Sequence, residues 1–460
     1  MRKYETSAKI NQVETTTDNL TGRGGLALFV KYLNGVGIYT LMEASFGKMR
    51  KSLKGQAIWN IFKQIFCFFF DGTSRHLSYF DHLQKDEGYT GVIENNRREM
   101  LSSHAAKRFF KGFSWLCGGL FRKILKRLFI WRLKIEKPDE IIMTLDTMVM
   151  DNDEADCREG AQPTYKNVKG FQPLQLVWKY KIVDAVFRGG KKHSNYGHTA
   201  VNMITDMVKL IRSEYRPDVT IIIQTDSGFF DEVNFSAFDA LNIGFICTGK
   251  MYAGVKEQAQ DRKDWGVYDN GHQVWEFAEF GFRCDKWDRF YRAIYTRPVY
   301  EGKQKLLDFA RPDNVIITNI GLNPQALAYA SEKRRQAWIQ PETLVRTHHL
   351  RGADELPHRG LKEFGSEQLP FKRFAANSAF YYCMLISFFL FATYKEDVLR
   401  GIVPITSYAT TIRRQLVDWA AKIVRGGGKI ILRVTQAVMT AWQVDKLWIR
   451  CQNPPPILAY

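Results

Sequence analysis

The hydrophobic pattern of the chain changes character twice. In residues 1–135, apolar side chains recur every three or four positions, as in the run at 56–70, which is typical of packed α-helices. From Lys137 onward the apolar residues instead form short β-rich runs, and helical spacing returns in residues 401–460. The pattern predicts a helical N-terminal region, a central region built on strands and a helical C-terminal region.

The central region begins with a succession of strands and helices that predicts a mixed α/β sheet. Three strands come first, and each of the next two strands is preceded by a helix. The predicted strands are 139–149, 172–178, 181–188, 219–226 and 243–247, and the predicted helices are 198–215 and 235–241. Residues 136–249 are therefore expected to form the first part of a sheet-based core.

The remainder of the central region divides into an insertion and the second part of the core. Residues 250–340 contain alternating apolar and polar runs, which predict a β-strand insertion. Residues 341–400 return to the core and include an uncharged stretch at 375–393. That stretch approaches the roughly 20 apolar residues that a membrane span requires. Its polar start and flanking charges favour a buried core helix instead.

Charge and cysteine content narrow the partners and the compartment. The chain has 66 Lys and Arg against 48 Asp and Glu, a net charge of +18. This excess favours a polyanionic partner, with nucleic acid ahead of an anionic membrane. The seven cysteines show no CxxC or zinc-binding spacing. Reduced thiols and a cytoplasmic location are therefore expected.

Basic and aromatic residues occur side by side in the N-terminal region. Within residues 101–113, Ser102 is a suitable helix N-cap, and Lys107 and Arg108 directly precede Phe109. Two interpretations are open. The region is either a DNA-binding and dimerisation domain with a helix-turn-helix-like element, or an ordinary helical domain with a solvated basic face.

Three acidic residues occupy positions that suit metal binding. Asp146 interrupts an apolar strand, Asp226 ends a later strand, and Glu355 follows the insertion. Side chains from the ends of separate strands can converge at one edge of a sheet. Carboxylates suit Mg²⁺ or Mn²⁺, and two such ions can activate a hydroxyl and stabilise the leaving oxygen of a phosphoryl transfer. The alternatives are that Asp226 caps a turn and that Glu355 is a surface residue.

The stretch at 347–365 carries four polar residues at helical offsets. His348, Arg351, Glu355 and Lys362 follow each other at intervals of three, four and seven positions, which places them on one face of a helix. A carboxylate flanked by cations suits a metal ion beside a phosphate backbone. Pro357 lies two residues past Glu355 and predicts either a kink or a later helix start.

These motifs resemble those of the DDE transposases of bacterial insertion sequences. The Y-(2)-R-(3)-E-(6)-K signature of one branch corresponds to the spacing of the four residues just named, with His348 in the place of Tyr. The resemblance includes LDTMV around Asp146, QTDSGFFD around Asp226 and KEFGSEQLPFKRFAANSAF from Lys362. It implies a ribonuclease-H-like core carrying a β-strand insertion.

The resemblance also implies roles for individual residues. Asp146, Asp226 and Glu355 would be the catalytic and metal-binding triad, using two Mg²⁺ or Mn²⁺ ions. Arg351 and Lys362 would contact DNA near the cleaved end, and His348 could donate to a phosphate. Some relatives stack a tryptophan of the insertion on a flipped base, and the candidates here are Trp265, Trp275 and Trp287.

The expected function is that of an insertion-sequence transposase. Such an enzyme binds double-stranded DNA at terminal inverted repeats as a homodimer, cleaves it with metal and transfers the 3′-hydroxyl ends to target DNA. It would work in the bacterial cytoplasm, associated with the nucleoid and not with a membrane. Two alternatives remain: an inactive DNA-binding relative, and a structure-selective nuclease with the same core that performs no strand transfer.

Overall fold

The described residues of the computed structural model are 10, 12–49, 55–299, 313–351 and 355–457, and the side chain of Glu355 is outside the described part. Before residue 137 this part contains one short strand, β1 (Asn19–Thr21), and seven α-helices. The helices are α1 (Leu26–Gly35), α2 (Ile38–Phe46), α3 (Ile58–Asp71), α4 (Phe80–Leu83), α5 (Glu87–Val92), α6 (Ser103–Lys111) and α7 (Cys117–Glu136). The predicted helical N-terminal region is confirmed.

Two features of the sequence explain the N-terminal helices. Ser102 caps α6 by accepting a hydrogen bond from the Ala105 N–H at 3.2 Å, as its position before the helix indicated. The helix α3 is buried along nearly its whole length because aromatic residues cover most of its circumference. The Phe-rich segment of α3 therefore forms the interior of this region.

A nine-stranded mixed sheet forms the central region. Its strands are β2 (Glu140–Thr147), β6 (Leu174–Trp178), β7 (Lys181–Val186), β8 (Thr220–Thr225), β9 (Gly244–Thr248), β10 (Gly266–Asp269), β11 (Val274–Phe282), β12 (Tyr291–Val299) and β13 (Asn314–Thr318). A separate small sheet contains β3 (Met150–Asp151), β4 (Gln162–Pro163) and β5 (Lys169–Phe171). The predicted strands of the core are all present.

The order of strands across the large sheet is β10-β11-β12-β13-β9-β8-β2-β6-β7. The first three core strands, β2, β6 and β7, form an antiparallel meander. Strands β8 and β9 join in parallel on the other side of β2. Helices α8 (Thr199–Glu214) and α9 (Glu232–Ala240) precede these two parallel strands. The ribonuclease-H-like mixed sheet is therefore confirmed.

The insertion extends this sheet. Strand β13 pairs antiparallel with the edge of β9, and β12, β11 and β10 continue outward from it. Three helices accompany the insertion and the return to the core: α10 (Ala253–Gln260), α11 (Glu332–Ile339) and α12 (Pro341–Leu350). The insertion thus lies beside the carboxyl ends of the parallel strands.

The second part of the core is helical. It contains α13 (Glu355–Phe364) and α14 (Phe374–Tyr394), and a π-helical segment, Lys395–Leu399, continues α14. The stretch from Phe374 to Leu399 is long and apolar enough to cross a membrane, but 89% of its most apolar window is buried inside the protein. It packs against α3, α6, α7 and β7. The predicted core helix is confirmed.

The C-terminal region differs in one respect from the helical prediction. It contains α15 (Ala409–Leu416), α16 (Gln436–Ala441) and α17 (Val444–Gln452), but strands β14 (Ala421–Gly426) and β15 (Lys429–Val434) form a hairpin between them. Gly427 and Gly428 make the turn with φ of 58° and 73°, which glycine adopts without steric cost. Strand β14 also pairs with β1 near the start of the chain, at Asn19 opposite Ile423.

Candidate active site

Asp146 and Asp226 lie side by side at one edge of the sheet. Strands β2 and β8 are parallel, and their register places Leu145 opposite Thr225. Asp146 is the next residue of β2, and Asp226 follows the last residue of β8. The predicted convergence of these two carboxylates at a strand edge is what the register produces.

The negatively charged side chains of Asp146 and Asp226 are both partly buried. Asp226 begins a 3₁₀ turn and accepts a hydrogen bond from the Gly228 N–H at 2.8 Å, while Asp146 accepts one from the Thr147 N–H at 2.7 Å. Burial and the neighbouring charge of Asp146 raise the pKa of Asp226, whereas Arg351 and the Gly228 N–H act to lower it. Turn capping by Asp226 and a role at the site are thus compatible.

Three hydrogen bonds hold the end of α12 above these strand ends. The Gln224 side-chain amide of β8 donates to the carbonyl of Thr347 at 3.0 Å. The hydroxyl of Thr248, the last residue of β9, lies 2.9 Å from His348 Nε2. The same hydroxyl accepts from Arg351 Nη1 at 3.3 Å. Thr248 therefore fixes both His348 and Arg351 beside Asp226.

His348 occupies an interior position. Its exposed fraction is 8%, and its ring contacts Thr248. Burial, together with His349 and Arg351, lowers the pKa of His348 to about 3, so the ring is neutral at physiological pH. In this geometry His348 helps to orient the end of α12. A neutral imidazole can still donate one N–H, so the predicted phosphate contact of His348 stays a prediction.

Pro357 lies within the helix α13, whose described part is Glu355–Phe364. The backbone N–H groups of a first helical turn have no intrahelical acceptor, so a proline removes no hydrogen bond in that turn, whereas it removes one farther along a helix. Residues 352–354, which precede Glu355, are outside the described part. The predicted effect of Pro357 on the start of this helix therefore stays a prediction.

His358 is a site residue that the sequence pattern did not single out. Its Nδ1 atom lies 3.7 Å from Asp146 Oδ2. Glu355 is three residues earlier, one helical turn before this contact. The i+3 spacing from Glu355 was the signal that could have identified His358. The contact shows that α13 starts at the same edge of the sheet as the two aspartates.

Lys362 and the basic residues of α6 lie farther along the surface. The Lys362 ammonium is paired with the carboxylate of Glu367, a partner that the sequence pattern also did not indicate. Lys107 and Arg108 are exposed on α6. Lys107 lines a surface cleft together with Glu367. Cations assigned to DNA contact thus extend from the strand edge toward the N-terminal region.

The three candidate tryptophans have different surroundings. Trp275 of β11 lies next to the site, with its ring centroid 4.4 Å from that of His349. Trp265 is covered by the guanidinium of Arg297, whose central carbon is 3.9 Å from the ring centroid. Trp287 packs into an aromatic cluster that includes Phe230 at 5.0 Å. Only Trp275 among these three is adjacent to the end of α12.

The donor set at the strand edge fits a divalent cation. Carboxylate oxygens are the preferred ligands of Mg²⁺ and Mn²⁺. Asp146 and Asp226 place two carboxylates side by side, where burial and then the charge of Asp146 raise the pKa of Asp226, and a bound cation would relieve the repulsion between them. Within the described side chains, no group of three His, Cys, Asp or Glu residues comes together as a metal site. Any third carboxylate from Glu355 lies outside that description.

Comparison with known proteins gives one family. Residues 5–453 match the family model described as transposase DDE domain group 1. Among solved structures, the chain is similar to the cryo-EM structure of a piggyBac transposase synaptic complex with hairpin DNA. That alignment has a TM-score of 0.41 and 11% sequence identity, and it covers 87% of this chain and 81% of the other. No curated protein sequence matches this chain.

Proposed function

The chain belongs to the transposase DDE domain group 1 family, and from this premise we propose that it is an active DNA-cleaving and strand-transferring enzyme. The observation that carries the proposal is the register of β2 and β8, which brings Asp146 and Asp226 together at one edge. The start of α13 at that edge adds Glu355 by its position in the chain. Family members use divalent metal ions, in keeping with this donor set.

In this proposal Asp146, Asp226 and Glu355 hold two Mg²⁺ or Mn²⁺ ions. When bound, such ions activate the attacking hydroxyl and stabilise the leaving oxygen of the phosphoryl transfer. His358 supports the arrangement through its contact with Asp146. Residues around metal ligands orient them, so His358 would fix the direction in which Asp146 presents its oxygens.

Arg351 would hold the phosphate next to the scissile bond. Its guanidinium is positioned by the Thr248 hydroxyl and lies close enough to Asp226 to lower that residue's pKa. Guanidinium groups bind phosphate oxygens strongly because their N–H groups form a planar fork. Lys362 would bind a more distant phosphate after exchanging its contact with Glu367 for one with DNA.

Trp275 is the base-stacking residue that the geometry favours. Its indole lies against His349, two residues before Arg351. A base extruded near Arg351 could stack on this ring. Trp265 and Trp287 already have covering partners in Arg297 and Phe230. A Trp275→Ala variant would therefore lose more end-processing activity than Trp287→Ala at equal folded fraction.

The remaining details of the proposal are consistent with the family and with the charge of the chain. The substrate would be double-stranded DNA carrying the terminal inverted repeats of the enzyme's own insertion sequence. The enzyme would act as a homodimer in the bacterial cytoplasm and join the freed 3′-hydroxyl ends to target DNA. The net charge of +18 supports a DNA partner.

Cleavage assays on aspartate variants test the proposal. Asp226→Ala is expected to lose more than about 100-fold of the cleavage rate with Mg²⁺ or Mn²⁺, since even the outer partners of metal ligands contribute 10–100-fold. The matched control is Asp231→Ala, which removes the nearby carboxylate that caps α9 through the Val233 N–H. Equal cleavage by wild type and Asp226→Ala would refute the assignment of the triad.

The two alternatives have distinct outcomes. The inactive-relative hypothesis depends on Pro357, which lies two residues after Glu355 in α13. Wild type that binds the inverted repeats without cutting them, and cuts them after Pro357→Ala, would support that alternative. Cleavage without any joining of 3′-hydroxyl ends to a second DNA would identify a nuclease instead.

A further inference from the structure

A large basic cleft lies between the N-terminal helices and the central region. Its volume is about 920 Å³, and it is lined by six Lys and Arg residues but only two acidic residues, Asp151 and Glu367. We call this surface the basic cleft and define it by its six cations, which are Arg75, Lys107, Lys111, Arg158, Lys372 and Arg373. Small-molecule pockets are lined mainly by apolar residues, whereas eight of the sixteen residues that line this cleft are charged.

The positive charge of the basic cleft is not balanced within the protein. None of its six cations forms an ion pair with a carboxylate in the described part of the chain. Glu367 is occupied by Lys362. Natural surfaces usually intersperse charges of both signs, and a one-sided concentration of cations attracts a polyanion.

The two walls of the basic cleft are held together before any ligand binds. The Arg373 guanidinium on one wall donates to the carbonyl of Lys111 on the other at 3.3 Å. The segment before α14 is fixed to the loop after β3, because the Glu159 N–H donates to the Lys372 carbonyl at 2.8 Å and the Leu369 N–H donates to the Asn152 side chain at 2.9 Å. A preorganised surface loses less entropy on binding.

The helix α13 connects the basic cleft to the candidate active site. At its start, His358 contacts Asp146, and near its end Lys362 contacts Glu367 in the cleft lining. Seven residues separate Glu355 from Lys362, which corresponds to about 10 Å along the helix axis. This is roughly three base-pair steps of a DNA duplex at 3.4 Å per step.

We propose that the basic cleft binds the phosphate backbone of the duplex flanking the cleavage site, and that Glu367 competes with that backbone for Lys362. The inference rests on the proposed function for the identity of the polyanion. Phosphates in the cleft release counterions, which makes binding steeply salt-dependent and independent of base sequence. Glu367 opposes non-productive occupancy because a phosphate must displace its carboxylate from Lys362.

Salt-dependent binding to a duplex of arbitrary sequence tests the proposal. The full-length protein is titrated into a fluorescein-labelled duplex over a range of NaCl concentrations, without divalent metal so that no cleavage occurs. The triple variant Arg75→Gln, Lys111→Gln, Lys372→Gln removes three exposed cations from both walls. The slope of log K against log salt is expected to decrease by about 2.7, because each phosphate that the protein no longer neutralises lowers it by about 0.9.

The matched control removes three exposed lysines that do not line the basic cleft: Lys209→Gln, Lys256→Gln and Lys429→Gln. Its slope is expected to stay at the wild-type value. An equal decrease in both triple variants would overturn the proposal, because binding would then follow total charge. Binding of wild type to anionic phosphatidylserine vesicles in preference to the duplex would overturn it as well.

Two single variants complete the test. Glu367→Gln keeps the oxygen that accepts the Asp151 N–H but removes the charge, and it is expected to tighten duplex binding severalfold. Unchanged or weaker binding would overturn the competition. Asp226→Ala is expected to bind with the wild-type slope while failing to cleave. Steep cleft-dependent binding by a wild type that never cleaves would refute the proposed function and leave the basic cleft as a DNA site.

Discussion

Two groups of buried carboxylates in this protein have opposite surroundings. At the strand edge, Asp226 faces another carboxylate, Asp146, and its pKa is raised by burial and by that neighbour. At the junction of α7 and the π-helical segment, Asp397 and Glu396 contact Arg132 at 2.9 and 3.0 Å. Burial also raises the pKa of Asp397, but Arg132 and the Tyr32 hydroxyl act against it.

The difference distinguishes a structural ion-pair cluster from the candidate active site. The Arg132 cluster contains its own cations, including Lys181, which also contacts Glu396, so it needs nothing from outside the chain. At the strand edge two carboxylates face each other, while Arg351 acts on Asp226 and His358 lies beside Asp146. A folded protein tolerates such repulsion where an external cation completes the site. Substitutions that change one charge at a time test this difference between the Arg132 cluster and the aspartate pair.

The largest effect is expected from Arg132→Met. Arg132 is 3% exposed, and its loss leaves Glu396 and Asp397 buried without their main cation. Breaking a buried pair in this way costs about 3–5 kcal/mol. Urea unfolding followed by circular dichroism measures it. The control, Arg334→Met, removes a 65% exposed guanidinium and should change the free energy of unfolding by less than about 1 kcal/mol.

The next effect is stabilisation by divalent cations. An ion that binds only the folded state adds about 2.7 kcal/mol to the free energy of unfolding when its free concentration is about 100 times its dissociation constant. Mg²⁺ and Mn²⁺ are expected to behave in this way. The melting temperature of wild type is expected to rise with Mn²⁺, and that of Arg132→Met to rise equally. Asp226→Asn should show no rise. A Mn²⁺ effect that survives in Asp226→Asn would place the bound ion elsewhere.

In metal-free buffer, Asp226→Asn is expected to raise the free energy of unfolding, whereas Arg132→Met lowers it by a larger amount. Asparagine keeps an oxygen for the Gly228 N–H but removes the repulsion with Asp146. The variant should be more stable than wild type by about 1 kcal/mol, within the usual gain from relieving a functional site. A destabilised Asp226→Asn in metal-free buffer would contradict the view that Asp146 and Asp226 repel each other.

The smallest effect concerns the pH dependence of stability at Lys395, the first residue of the π-helical segment. Burial lowers the pKa of Lys395 from 10.5 to about 8. Between these values the unfolded chain keeps a proton that the folded chain has lost, so wild type gains stability as pH rises through 8. Lys395→Met lacks this gain. Between about pH 7 and about pH 9, the free energy of unfolding of wild type should therefore rise by about 1 kcal/mol relative to that of Lys395→Met.

The sequence predicted the parts of the fold whose pattern is local. Periodicity located the N-terminal helices, the core strands and α14, and strand ends located Asp146 and Asp226. The hairpin β14–β15 was missed because its basic residues resembled a solvated helix face, and β1, the strand that it pairs with, lies near the other end of the chain.

The chemistry of single residues was less predictable where it depends on distant partners. Burial, together with His349 and Arg351, lowers the pKa of His348 to about 3, and the ring contacts Thr248, which lies 100 positions earlier. The pairing of Lys362 with Glu367 spans five positions and includes the end of α13, so a helical spacing rule could not indicate it. His358 was within reach of such a rule, being one turn after Glu355.

The pairing of β1 with β14 has a consequence for synthesis of the protein. Arg23, just after β1, also contacts Asp418, 395 positions later in the chain. The first helices therefore cannot reach their final packing until the last segment has left the ribosome. Until then the apolar surface that α1 packs against α17 stays exposed, and transiently exposed apolar surface is prone to aggregation.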